Sequence, residues 1–254
     1  MQLGFGSGVL VGIPLTDAFG NAIAAPTPVQ FGVLQDVSVD FSFDVKELFG
    51  QYQFPVAVGR GKGKISGKAK MAQMNGLTMN SIFFGQTLVA GTLSEVIDTS
   101  AGTAIPTTPF QITPTVPGSG TFAVDLGVVN VTTGLIMRRV VSGPTTGQYS
   151  VTGGVYTFAT ADVAQLVRIS YQYTATSTVA QKLTVNNVLM GQAPQFRADL
   201  YIPYNGKNFV MTLPANIGTK LAIATKIDDF LIPEFDFSGF ADASNNVAYI
   251  GLSE

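Results

Sequence analysis

The sequence predicts a mainly β protein with one short helix and an inserted Ig-like β-sandwich domain. Apolar and polar residues alternate over long runs, Gly-rich and Pro-rich turns separate these runs, and one segment has a helical spacing. With 254 residues the chain is long enough for one large all-β domain or two smaller ones with a buried core.

The clearest strand is predicted over residues 36–45, DVSVDFSFDV. Its apolar face carries Val37, Val39, Phe41, Phe43 and Val45, and its polar face carries Asp36, Ser38, Asp40, Ser42 and Asp44. A sustained period of two is typical of a strand with one buried face. The following residues 46–55, KELFGQYQFP, contain turn residues and a proline and predict a loop.

A second strand is predicted over residues 59–70, GRGKGKISGKAK, the most basic stretch of the chain. The even-numbered positions hold Arg60, Lys62, Lys64, Ser66, Lys68 and Lys70, whereas glycine, isoleucine and alanine occupy the odd positions. This alternation places the cations on one face of a strand. Glycines on the other face indicate close approach by a backbone or by a bulky packing partner.

Together the two strands predict an antiparallel hairpin with matched charges. Opposed residues of a hairpin point to the same side of the sheet. A loop centred near Gln51 therefore places Asp40 opposite Lys62, with Asp36 diagonal to Lys64. Opposite charges at these spacings contribute about 0.2–1 kcal/mol per pair. The basic run is interpreted as the partner of an acidic run.

The remaining core elements are predicted from shorter patterns. Small or apolar residues at 69, 72, 76, 79 and 83, with Met71 and Met74 beside them, predict a short helix. Later strand candidates are KLTVNNVLM, QFRADLYIPY, KNFVMTLP and KLAIATKIDDF. In the ending IPEFDFSGFADASNNVAYIGLSE we expect Phe235, Phe237 and Phe240 to anchor the C-terminal segment.

An inserted domain is predicted over residues 95–178. A Thr- and Pro-rich crossing is followed by short strand candidates between Gly-rich turns, in the order TFAVDL, GLIMRRVV, QYSV, GVYTFA and LVRISYQYT. This cadence is typical of a small β-sandwich. Residues 1–94 and 179–254 then form one discontinuous core domain.

Residues 1–33 are interpreted as an extended N-terminal arm of the core domain. The opening stretch, MQLGFGSGVLVGIPL, has no charged residue and is interrupted by Gly and Pro. It lacks the basic n-region of a signal peptide and the long apolar run of a transmembrane helix. We therefore expect no membrane partner.

Composition excludes several functional classes. The chain has no Cys, His or Trp, which rules out zinc sites built on Cys or His, cysteine nucleophiles and Ser-His-Asp triads within one chain. Its formal net charge of −2 is not that of a basic nucleic-acid binder. The sequence does not match a P-loop with its lysine at Lys64, because Val58 occupies the position of the first Gly and Ile65 that of the Ser or Thr. We expect no enzyme activity, no cofactor and no metal.

The order of these segments resembles the tail tube (major tail) proteins of long-tailed bacteriophages. The resemblance rests on GFGSGVL and PTPVQFGVLQDVSVDF, on VKELFGQYQFPVAVGRGKGKISGKAKMAQMNG, on GQYSVTGGVYTFATAD with VRISYQYT, and on IPEFDFSGFADASNNV. It covers most of the chain, with residues 95–178 as an insertion on the basic tube fold.

This resemblance implies a tail-tube-type β-sandwich or barrel that assembles into stacked homo-hexameric rings. Double-stranded DNA passes through the lumen non-specifically, and the implied inner-barrel strands are 36–45, 57–68, 194–203 and 207–213. The implied lumen-facing charge pairs involve Asp36, Asp40, Asp44, Arg60, Lys62, Lys64, Arg197 and Asp199. The implied ring-to-ring contact loop, 46–55, contains Lys46, Glu47, Leu48, Phe49, Tyr52 and Phe54.

A DNA channel is expected to be neutral or negative, because a cationic lining retains the duplex through counterion release. The hairpin alone has an excess of positive charge. We therefore expect Lys68 and Lys70 to lie past the strand, near the helix start and outside the bore.

The same resemblance implies a location in the virion tail, after assembly in the bacterial cytoplasm. It also implies contact with tail terminator, tape measure and baseplate or tip proteins. Two other classes remain: the tube of a contractile injection or secretion system, and a β-sandwich binding module such as an adhesin domain. Such tubes are usually shorter and lack a sandwich insert. A binding module needs an exposed aromatic platform, and the chain has no Trp.

Overall fold

The computed structural model describes residues 6–73, 76–225 and 227–253. The chain divides into two compact units. The first, here called the core unit, spans Met1–Thr87 and Leu183–Glu254, and the second, here called the inserted unit, spans Leu88–Lys182. The boundaries drawn from the sequence, 95 and 178, fall within the inserted unit.

The described chain is mainly β with one short helical segment, which confirms that part of the predicted fold class. The strands before the inserted unit are β1 (Val9–Pro14), β2 (Val29–Gln30), β3 (Leu34–Phe49) and β4 (Pro55–Met71). The next strands are β5 (Leu88–Ala90), β6 (Thr92–Val96), β7 (Thr103–Ala104), β8 (Gln111–Ile112), β9 (Thr121–Asn130), β10 (Leu135–Ile136), β11 (Arg138–Arg139), β12 (Gln148–Thr152), β13 (Val155–Phe158), β14 (Leu166–Ala175) and β15 (Gln181–Leu183). The last are β16 (Gln195–Tyr204), β17 (Lys207–Ala222), β18 (Glu234–Gly239) and β19 (Tyr249–Leu252).

The helical segment comprises α1 (Gly76–Met79) and a π-helical turn over Asn80–Phe84. The prediction that it starts at residue 69 is wrong, because Ala69 and Met71 belong to β4. The alternation of β4 buries both side chains on the same side of the sheet, and this burial outweighs the local helical spacing. Met74, which the spacing assigned to the helix, lies outside the described residues.

One large antiparallel sheet forms the core unit. Its strand order is β2–β1–β16–β17–β18–β4–β3, and β19 pairs with β17. Residues 216–222 of β17 pair with β18, whereas residues 209–212 pair with β19. β3 is an edge strand over its 16 residues, because β4 is its neighbour on one side and no described strand lies on the other.

The apolar core lies on one face of this sheet. Phe235 packs against Phe196 and Phe237, with ring centroids 5.9 Å apart in both contacts. The helical segment covers the same face through Ile82, which lies over Gly12 of β1. A Cβ atom on Gly12 would stand 2.5 Å from Cδ1 of Ile82, so the close approach of helix to strand requires glycine at this position.

β3 and β4 form the predicted antiparallel hairpin, but in a different register. Asp40 is opposite Ser66, and Asp36 is opposite Lys70, so the predicted pairing of Asp40 with Lys62 is wrong. The turn occupies residues 50–54, and two bulges each add one residue to β4 relative to β3. Polar and apolar residues still alternate on either side of a bulge. The sequence pattern therefore did not reveal the shift in register between β3 and β4.

In the inserted unit two sheets enclose a second core. One sheet has the order β10–β9–β14–β6, with β7 also on β14, and the other has the order β11–β12–β13–β8. The strands predicted here are confirmed, with GLIMRRVV divided between β10 and β11. Part of the Thr- and Pro-rich crossing, residues 97–120, is also ordered into strands, since β7 pairs with β14 and β8 pairs with β13.

Two strand predictions after the inserted unit are too long. KLTVNNVLM is a strand only as far as Leu183, and KLAIATKIDDF only as far as Ala222. In the rest of each quoted segment the described residues form no regular strand, and apolar side chains such as Leu189 and Ile227 are exposed. The β-branched composition of these segments was therefore not enough to predict where each strand ends.

Candidate assembly surface

The second face of the core sheet carries the charged residues. Residues of both signs alternate with the core-facing residues on β3, β4, β16, β17 and β18. Among the described residues, this charged face includes Asp36, Asp40, Asp199, Glu234 and Asp236 with Lys64, Lys68, Lys70, Arg197 and Lys220. These ten residues comprise five anions and five cations.

Glu234 stands at the centre of an ion-pair network on the charged face. Its Oε1 accepts hydrogen bonds from Nζ of Lys68 at 2.8 Å and from Nζ of Lys220 at 2.9 Å. Lys220 also lies 3.8 Å from Oδ2 of Asp236. The hydrogen bonds from the two lysines lower the pKa of Glu234 to about 2. Three neighbouring strands are thereby joined by side chains as well as by backbone.

The structure corrects the expected position of two lysines. Lys68 and Lys70 were expected past the strand, near the helix start and outside the bore. They lie within β4, opposite Ser38 and Asp36 of β3, and opposite Asp236 and Glu234 of β18. The excess charge of the hairpin is therefore offset by β18 and not by displacement of the lysines.

Arg197 and Asp199 lie next to each other on the charged face, on β16. Nε and NH2 of the arginine each donate a hydrogen bond of 2.9 Å to the carboxylate, and Thr212 donates a further one. The hydrogen bond to Asp199 raises the pKa of Arg197. This bidentate geometry fixes both side chains and adds no net charge to the face.

Arg60 does not lie on the charged face, contrary to the alternation of the sequence. The bulge beside Asp44 places Arg60 opposite Val45, and Lys62 has no paired partner at this irregularity. The guanidinium carbon of Arg60 lies 4.6 Å from the ring centroid of Phe43, which is on the apolar side of the hairpin. Lys64, the remaining predicted cation, is opposite Ser42.

The sequence patterns did not identify three residues of the charged face: Glu234, Asp236 and Lys220. The stretch EFDFSG alternates charged and aromatic residues, and this alternation is the signal that marks it as a strand with one charged face. The phenylalanines of this stretch were identified as anchors, and both Phe235 and Phe237 are buried. Phe240, the third expected anchor, is 37% exposed.

The hairpin of β3 and β4 extends past the rest of the sheet and exposes apolar residues. β18 pairs with β4 only from Ile65 to Lys70, so residues 55–64 have β3 as their one strand neighbour among the described residues. The exposed apolar side chains of this part are Phe41, Phe43, Val45, Leu48, Phe49, Tyr52, Phe54, Val56 and Val58. We call this part, residues 41–64, the projecting hairpin.

The predicted ring-contact residues divide between strand and turn. Lys46, Glu47, Leu48 and Phe49 were assigned to a loop, but they belong to β3, because their backbone pairs with β4. Tyr52 and Phe54 lie in the turn, and their side chains are 73% and 80% exposed. The apolar surface at the tip is therefore held by a paired hairpin, which orients it more firmly than a loop would.

The described part of the chain offers no metal site built from three or more His, Cys, Asp or Glu residues. Within the same residues no helix has the length and apolarity that a membrane span requires. Comparison with protein-family models and with curated proteins found no match for this sequence.

Proposed function

We propose that this chain is a structural virion protein, a subunit of hexameric rings that stack into the tail tube of a bacteriophage and conduct DNA into the host. The observation that carries the proposal is the projecting hairpin, which is apolar, exposed and continuous with a free sheet edge. An exposed apolar patch beside a free strand edge is typical of an interaction surface, and further copies of the chain are the partners proposed here.

The free edge of β3 supports assembly by strand pairing. An edge strand presents a row of unpaired N–H and C=O groups, and soluble proteins usually keep such strands short or cover them. β3 is 16 residues long, and no strand among the described residues pairs with its outer edge. Closure of several copies into a ring removes this edge.

Exposed apolar side chains on the projecting hairpin support a second set of contacts. More than half of the surface is exposed in each of Val45, Val58 and Phe49. Further along the same hairpin, β4 contributes buried core residues. Covering an exposed valine or phenylalanine contributes about 1.5–3 kcal/mol. Stacked rings provide such cover along the tube axis.

The charged face supports a role as a conduit lining. Positive and negative side chains are mixed on this face and several of them form ion pairs, which leaves little free positive charge to hold a phosphate backbone. Such a lining lets the duplex pass without specific or tight binding. Partners in this function are further copies of the chain, the terminator, tape measure and baseplate or tip proteins of the tail, and the passing DNA.

Negative-stain electron microscopy of the purified protein over a range of concentrations tests the proposal. We expect rings or tubes with a central hole of duplex width, about 20 Å or wider. A compact monomer that persists at high concentration contradicts the proposal and favours the binding-module alternative. Contractile-system tubes are distinguished by mass spectrometry of isolated particles, which then contain a sheath protein.

A further inference from the structure

We propose that a groove on the inserted unit of one copy binds an acidic loop on the core unit of a second copy. The groove, here called the arginine groove, is lined by Arg138, Arg139, Val140, Val141, Val151 and Thr152 and has a volume of about 630 Å³. The loop, here called the acidic loop, consists of Ile227, Asp228, Asp229 and Phe230. This contact requires only that two copies of the chain associate, and it does not depend on the proposed tube.

The arginine groove combines two cations with aliphatic walls. Arg138 and Arg139 form β11, an edge strand that pairs with β12. Both arginines are exposed, and Val141 beside them is 96% exposed. A guanidinium nitrogen of Arg139 also lies 3.7 Å from Oδ2 of Asp125, whereas Arg138 forms no ion pair with any residue that the structure describes.

The acidic loop has the complementary composition. It lies between β17 and β18, and its two aspartates are flanked by Ile227, 98% exposed, and Phe230, 86% exposed. An aromatic side chain that is almost wholly exposed is unusual on a soluble surface unless another surface covers it. Asp229 also accepts a backbone hydrogen bond from Phe230 at 2.8 Å, so Asp228 is the better residue for a test.

Charge and side-chain chemistry favour this pairing. Arginine side chains bind carboxylates through paired hydrogen bonds, and aliphatic walls accept an aromatic or branched side chain. Groove and loop are different surfaces, so each copy offers its groove to one neighbour and its loop to another. Such a head-to-tail contact propagates into rings or filaments instead of stopping at a dimer.

Two charge reversals on separate molecules test the contact. Arg138→Glu and Asp228→Lys each place like charges at the contact, and each alone should weaken self-association about tenfold in sedimentation velocity. An equimolar mixture of the two variants should regain association, because the glutamate groove of one meets the lysine loop of the other. The remaining native groove and native loop also meet in this mixture. Lys182→Glu is the matched control, and it should associate like the unchanged protein.

The outcomes separate the alternatives. If only the double variant within one chain regains association, the contact is within a molecule and the proposal is wrong. If Asp228→Lys has no effect while Arg138→Glu does, the groove binds another anionic ligand and the proposal is also wrong. Rings or tubes that form normally from both single variants overturn this contact but leave the proposed tube intact. Circular dichroism confirms that each variant is folded.

Discussion

The ring of Phe237 lies directly over Gly67. The two residues are opposed in the pairing of β18 with β4, and a Cβ atom on Gly67 would stand 2.0 Å from Cζ of the phenylalanine. This contact explains why glycine occurs within the basic run of β4. The small side of the strand accommodates an aromatic ring, while the opposite side carries Lys68 into the ion-pair network of Glu234.

We expect Gly67→Ala to destabilise the core unit by about 1–3 kcal/mol. The added methyl group cannot fit unless the buried ring of Phe237 or the backbone moves, which is the cost of overpacking. Gly59→Ala is the matched control on the same strand, because a Cβ atom there meets nothing within 4 Å. Urea denaturation followed by circular dichroism measures the difference. Equal urea midpoints for the two variants would show that the ring of Phe237 can move aside without loss of stability.

The network around Glu234 predicts a loss of stability in acid. The pKa of Glu234 is about 2 in the folded protein and near 4.5 in an unfolded chain. Its contribution to folding is therefore complete above pH 4.5 and disappears as the pH falls towards 2. Glu234→Gln should flatten this part of the curve of melting temperature against pH, whereas Glu47→Gln in the projecting hairpin should not. High salt should reduce the difference, because these side chains are exposed.

A buried carboxylate organises the inserted unit and predicts a large effect of removing one hydroxyl. Asp125 accepts hydrogen bonds from the hydroxyls of Tyr149 at 2.7 Å and Tyr156 at 3.0 Å, and burial together with Asp125 raises the pKa of both tyrosines. Tyr149→Phe should cost about 1–3 kcal/mol, because the buried carboxylate loses a donor. Tyr52→Phe, at the exposed tip of the hairpin, should leave the unfolding midpoint unchanged. A similar effect of both substitutions would contradict a structural role for this network.

The alternation of residues 36–45 and 59–70 was enough to predict two strands and their antiparallel pairing. It was not enough to predict register, because the bulge beside Asp44 and the turn length are set by backbone geometry that leaves no periodic signal. Arg60 shows the consequence. Its even number places it with the lysines, yet the bulge turns it towards Phe43.

Long-range pairing explains the other failures. Ala69 fits a helical spacing with Met71 beside it, but β4 continues through both residues because β3 pairs with each of them and β18 also pairs with Ala69. The balancing charges Glu234 and Asp236 are far from the hairpin in sequence, and only the strand order β18–β4–β3 brings them beside Lys68 and Lys70. A local pattern determines which face a residue occupies, but not which strand lies next to it.

The projecting hairpin predicts a variant that folds but does not assemble. Val45 and Val58 lie on the two strands of the hairpin and are 59% and 63% exposed in the single chain. Replacing both with serine should change the free energy of unfolding by no more than about 0.5 kcal/mol, because exposed positions contribute little to folding. The same change removes apolar surface that the proposed assembly would cover, so the concentration needed for rings or tubes should rise about tenfold or more. Light scattering against concentration measures this threshold, and Val179→Ser, at a side chain that is 93% exposed outside the hairpin, is the control. An unchanged threshold in the double variant would show that the hairpin is not the surface through which copies of this chain associate.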